Sequence, residues 1–170
     1  MAQAFKYGGV RNMDRIGRFT MSEFRQRIRV LNQRQCTTAA QIDATLSEMT
    51  ELTESAAISG VVRILLEEFA QLQGGTPVDT GRARAAWLIT GDRGAIEFVP
   101  ALGQASYTPQ VPDMASLMDA DVIIVLNNVE YILALNAGWS KKQPAGFIDG
   151  FLLRVKRRLQ DLATELSQVR

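Results

Sequence analysis

The chain has 170 residues, 46% of them hydrophobic and 22% charged, enough to build a domain-sized core without disulfide or metal staples. It holds no histidine and one cysteine, Cys36. Those two counts exclude Ser-His-Asp and Cys-His catalytic sets, zinc sites built on His or several Cys, an internal disulfide, and the usual general base near neutral pH.

The composition therefore points away from an enzyme and toward a chain with no cofactor and no metal. A lone cysteine fits a reducing compartment. The N-terminal stretch has no continuous apolar run, so no signal peptide is expected, and no segment reaches the ~18 apolar residues of a membrane span. The formal charge of +1 conceals blocks. Residues 1–35 sum to +6, residues 36–68 to −5, residues 69–139 to −4 and residues 140–170 to +4. Such blocks can pair within one subunit or between neighbours meeting head to tail.

Residues 1–18 are rich in Gly and Arg, without a clear period, and read as an extended or disordered arm carrying Arg11, Arg15 and Arg18. From Thr20 or Ser22 a short helix is predicted. Phe24, Ile28 and Leu31 share one face, and Arg25, Arg27 and Arg29 lie around them. This basic helix reads as a docking segment for protein rather than nucleic acid, because it lacks interleaved aromatics for base stacking. Residues 1–35 are taken as a basic arm with its helix, and residues 36–170 as a single domain.

Thr37 or Thr38 is placed to cap the next helix. Ile42, Leu46, Met49, Leu52, Ala56, Val62, Leu65, Phe69 and Leu72 recur at three- and four-residue steps until Gly74-Gly75 ends the run. About 35 residues at 1.5 Å each make a rod of roughly 50 Å, with a bend or break expected near Ser59-Gly60. Its length suggests a surface offered to another chain.

The period then changes. Trp87–Thr90 and Ala95–Val99 read as two short strands around a turn at Gly91–Gly94. Val99–Asp113, with three prolines, reads as a long loop, and Asp121–Leu126 as a central strand closed by Asn127-Asn128. Residues 129–137 fit either a strand or a helical turn. Pro144 precedes a last amphipathic helix running from Phe147 to Val169. The order implies an α+β fold, a small antiparallel sheet packed against the long N-terminal helix and the C-terminal helix.

Three constellations are candidates for chemistry. Asp113, Asp119 and Asp121 supply oxygen ligands for a divalent cation of a metal-dependent hydrolase, but they read better as turn residues, since the further ligands of a calcium loop are missing. Lys141, Lys142 and the Arg154–Arg158 stretch offer a phosphate-binding face, or simply the solvated side of a helix. Together with the basic arm they carry the alternative of a nucleic-acid-binding protein.

The third is Pro77-Val78-Asp79-Thr80-Gly81-Arg82-Ala83-Arg84-Ala85-Ala86-Trp87. Pro77 stops the preceding helix, Asp79 or Thr80 is placed to cap a short helical turn, and Asp79 is in reach of Arg82 or Arg84 for a charge-assisted bond. One carboxylate and two arginines give neither nucleophile nor tunable base, so the segment reads as a structural corner or intersubunit clamp.

This segment resembles the Pro-Val-Asp-Thr-Gly-Arg-Leu-Arg-x-Ser signature of the tail-completion and neck proteins of long-tailed bacteriophages, the group of minor tail components like the lambda Z protein. A second stretch is similar to that family's Asn-x-x-x-Tyr…Glu-x-Gly-Thr/Ser…Pro-x-x-Phe segment. It runs from Asn127 through Tyr131 to Gly138, Trp139, Pro144 and Phe147. The order of elements also agrees, over roughly residues 38–168. Ala83 stands where Leu is usual, and Asn136 where an acidic residue is common.

The resemblance implies a virion structural protein of the tail and neck region, assembled in the host cytoplasm and without catalytic turnover. It implies a homo-oligomeric ring, six copies by tail symmetry or twelve if it follows the portal. The implied partners are other neck, connector and tail proteins and the genomic DNA passing through the channel, with no membrane. Asp79, Thr80, Gly81, Arg82, Arg84, Trp87, Tyr131, Gly138, Trp139 and Pro144 are then the motif residues expected at or near subunit contacts.

Overall fold

A computed structural model of the chain describes residues 20–104, 106–142 and 144–169. The arm residues Arg11, Arg15 and Arg18 lie outside the described residues. Contacts divide the chain into two units: the residues up to Ser59 with those from Leu166 onward, and Gly60–Glu165.

The first unit is a pair of helical segments. Helix α1 spans Met21–Asn32. Thr20 begins it with a reciprocal capping box: the Thr20 hydroxyl accepts from the Glu23 backbone N–H, and the Glu23 carboxylate accepts from the Thr20 N–H. Bonds from the Thr20 N–H and then the Thr20 hydroxyl to its carboxylate hold the Glu23 carboxyl below its ordinary value. Phe24, Ile28 and Leu31 are buried as their spacing requires, and Phe24 and Ile28 cluster with Ala56, Met49 and Leu52. Arg25, Arg27 and Arg29 are on the exposed side. Arg34, after the helix, pairs with Glu48 at 2.9 Å.

Helix α2 runs from Ala39 to Gly75, and the Thr38 hydroxyl accepts from the Gln41 N–H at its start. It is continuous through Ser59-Gly60, so the expected break is absent. Gly60 serves close packing instead. A Cβ there would stand 2.8 Å from the Leu162 side chain. Ala56, Val62, Phe69 and Leu72 are buried, but Ile42 and Leu46, at the head of the same stripe, are 49% and 57% exposed.

The second unit holds the sheet. Strand β1, Leu88–Thr90, pairs antiparallel with β2, Ile124–Leu126, with Ile89 opposite Val125. The fold is α+β as expected, with a smaller sheet. Ala95–Val99 is not a strand: Arg93–Glu97 forms a 3-10 helix whose start is capped by Asp92, which accepts from the Gly94 N–H. Asp92 and Gly94 favour a local turn over a ladder, so among the described residues β2 is an edge rather than a central strand.

The remaining elements are short helices, α3 (Arg82–Ala85), α4 (Met114–Met118) and α5 (Ile132–Asn136), and the closing α6 (Phe147–Ser167). Residues 129–137 thus resolve toward the helical option. The core gathers Val62, Phe69 and Leu72 of α2, Trp87 and Ile89 at β1, Leu117 of α4, Ile132 of α5 and Phe151 of α6. Both long helices therefore cover the small sheet, as the apolar stripes require. No helix among the described residues is long and apolar enough to cross a membrane.

Candidate functional site

The two segments that carry the resemblance meet in the second unit. Gly81, with φ of 92°, turns the chain into α3 in a conformation that side chains with a Cβ avoid. The Thr80 hydroxyl accepts from the Arg82 N–H at 3.4 Å, while Asp79 makes no cap. Arg82 is buried, and its Nη1 donates to Glu130 Oε1 at 2.9 Å and its Nε to the Pro100 carbonyl at 3.1 Å. The hydrogen bond to Glu130 raises the guanidinium pKa against the opposing effect of burial. Glu130 is held below its ordinary value by a bond from its own backbone N–H and then by Arg82.

The expected Asp79–arginine bond does not form. The Asp79 side chain is almost wholly exposed and lies 4.0 Å from Lys142 Nζ. Arg84 instead donates to the Gly74 and Thr76 carbonyls at 3.0 and 3.2 Å, satisfying orphan acceptors at the end of α2. Lys142 Nζ donates to the Val78 carbonyl at 2.8 Å. Asn127, one residue past β2, donates to the Ala83 carbonyl at 2.8 Å and accepts from the Val129 N–H. Trp87 does not open β1 but anchors beneath it. Its Nε1 donates to the Thr76 hydroxyl, which donates to the Leu72 carbonyl, both at 2.8 Å.

Gly138 closes α5. Its φ is 91°, its N–H bonds the Leu135 carbonyl, and the Trp139 N–H bonds the Ala134 carbonyl, the two bonds of a Schellman cap. Trp139 itself is 82% exposed, and Pro144 is exposed ahead of α6. Asn136 joins α5 to the start of α6: its side chain accepts from the Ile148 N–H and donates to Asp149. Between the two segments lies an open groove of about 640 Å³, bordered by Asp79, Gly81, Arg82, Tyr107, Tyr131 and Lys142. Among the described residues that line it, the Thr80 and Ser140 hydroxyls accept from backbone N–H groups and the Tyr107 hydroxyl donates to the Ala101 carbonyl.

The other two constellations have different fates. Asp113 caps α4 by accepting from the Ala115 N–H, and Asp119 ends that helix. No group of three or more potential ligands gathers among the described residues. In the Arg154–Arg158 stretch, Arg154 and Arg158 turn onto α2. Arg154 Nε donates to Glu68 at 2.6 Å, Arg158 Nη1 to the same carboxylate at 3.1 Å, and Arg158 Nη2 to Glu67. Burial alone would push the Glu68 carboxyl up, but the two guanidinium groups outweigh it and hold it below its ordinary value. Those two cations serve the fold, leaving Lys156 and Arg157 exposed.

Sequence reasoning missed Glu130 and Glu68, and it gave Asn127 no partner. Asn127-Asn128 after an apolar run was a turn signal, but nothing local names a partner 44 residues away. Comparison of the chain with protein-family models, with curated proteins and with solved structures gives no match.

Proposed function

We propose that the chain is a virion structural protein of the head–tail junction, a subunit of a ring around the DNA channel that completes the tail or joins it to the capsid connector. It works by complementary surfaces and turns over no substrate. The ring is hexameric, matching the tail, or dodecameric if it follows the portal.

One observation carries the reading most. The two separated segments that resemble the tail-completion signature are joined to each other by Arg82 on Glu130, Asn127 on Ala83 and Lys142 on Val78. They form one corner held together by hydrogen bonds between the two segments. Leu102, Leu133 and Trp139 stand exposed in the same unit, giving apolar surface suited to a neighbour.

Native mass spectrometry of the purified chain, alone and mixed with tails and capsids, tests this. A mass of six or twelve copies, or stable attachment to one end of the tail, is the expected result. A permanent monomer that binds neither tails nor capsids overturns the proposal.

A further inference from the structure

The first half of α2 presents a face that the first unit leaves uncovered. Ile42 and Leu46, one turn apart, are 49% and 57% exposed. Asp43, Glu51 and Glu54 are exposed among them, and none makes an ion pair among the described residues. At 3.6 residues per turn, Asp43, Ser47, Glu51 and Glu54 fall on one side of the helix, alongside the Ile42–Leu46 side. No lysine or arginine occurs between Cys36 and Val62 to neutralise it. An apolar strip edged by unpaired carboxylates calls for a partner that is basic and apolar in alternation.

The chain carries such a segment. Residues 1–19 hold Lys6, Arg11, Arg15 and Arg18 against the single acid Asp14, interspersed with Phe5, Tyr7, Val10, Met13, Ile16 and Phe19. We infer that this basic segment of one copy docks on the side of α2 formed by Ile42, Leu46, Asp43, Glu51 and Glu54 in a second copy. The arginines meet Asp43, Glu51 and Glu54, and the interspersed apolar side chains cover Ile42 and Leu46. Such a contact is heterologous, joining different surfaces of the two copies, so it propagates from subunit to subunit and closes when the rotation permits. It rests on the assembly reading above and names the surfaces that assembly uses.

The test is a charge swap in full-length chains, read by native mass spectrometry and sedimentation at moderate salt. One variant reverses the arm (K6E, R11E, R15E, R18E), leaving arm and face both acidic. The other reverses the face (D43K, E51K, E54K), leaving both basic. Every substituted α2 position is exposed, and helical circular dichroism verifies that each variant is folded.

Each variant alone is expected to lose association by about 10- to 100-fold, as three exposed charge pairs become repulsive. An equimolar mixture is expected to recover it, because each arm then faces an opposite charge in the other chain. Higher salt is expected to weaken the wild-type contact. If either variant alone assembles like the wild type, or the mixture recovers nothing while the wild type assembles, the arm contact is wrong and the ring reading stands. A wild-type chain that is monomeric, in a mixture that is also monomeric, removes the arm contact, and the ring reading falls with it when that monomer also binds neither tails nor capsids.

Discussion

Arg82 and Glu130, 48 positions apart, are hydrogen-bonded at 2.9 Å, with the arginine side chain only 7% exposed and the carboxylate 66% exposed. The asymmetry decides what each contributes. Arg82 also holds the Pro100 carbonyl, so its removal frees two acceptors and opens a buried space, whereas Glu130 left as glutamine still accepts. Arg82→Ala is expected to lower the melting temperature clearly more than Glu130→Gln. Arg82→Lys, unable to reach both acceptors with a planar fork, falls between. Equal melting temperatures for Arg82→Ala and Glu130→Gln contradict this division.

The Glu68 carboxylate gives the acid limb of stability a sign. Its folded value lies below the ordinary 4.5. The stabilisation is therefore complete above about pH 4.5 and fades as pH falls through the lower folded value. Arg154→Ala and Arg158→Ala together strand a carboxylate that is 3% exposed, at a cost of about 2–4 kcal/mol near neutral pH. Denaturant unfolding should show the difference from wild type shrinking below pH 4 as Glu68 protonates. A difference independent of pH contradicts the assignment.

Thr76 is a relay between two buried partners, accepting from Trp87 and donating to Leu72. Thr76→Val keeps the shape and removes the hydroxyl, leaving the indole N–H without an acceptor. The expected loss is about 1–3 kcal/mol, while Thr76→Ser costs about half as much or less. Urea titrations of both variants decide it, and a neutral Thr76→Val refutes the relay.

Two glycines should respond in opposite directions. Gly138 has a positive φ, and a Cβ there would stand 3.1 Å from the Ala145 Cβ, so Gly138→Ala is expected to cost about 1–2 kcal/mol. Gly74 lies within α2 with open space around it, and Gly74→Ala is expected to gain about 0.5–1 kcal/mol. Thermal melts of the two variants check both signs at once.

Much of the fold was legible because local chemistry fixes it. The Thr20 cap, the Phe24–Ile28–Leu31 face, the long run ending at Gly74-Gly75 and the terminal helix from Phe147 all follow from spacing and capping within a turn or two. Short elements were less legible. Ala95–Val99 reads as a strand on β-propensity, yet Asp92 captures the backbone of Arg93–Glu97 into a 3-10 turn. Ser59-Gly60 reads as a bend or break, yet the helix runs on unbroken and Leu162 packs against Gly60.

By itself, then, the sequence determined the α+β class, the absence of histidine-based and paired-cysteine chemistry, and the alternating charge blocks. Which charges meet was decided only by tertiary structure. Asp79, three and five residues from two arginines, reaches neither, while Arg82 finds Glu130 and Glu68 takes both Arg154 and Arg158. The reason is physical. Helical and capping preferences depend on neighbours within about four residues, but an ion pair depends on which faces the core brings together, and burial selects the partner that can be desolvated with it.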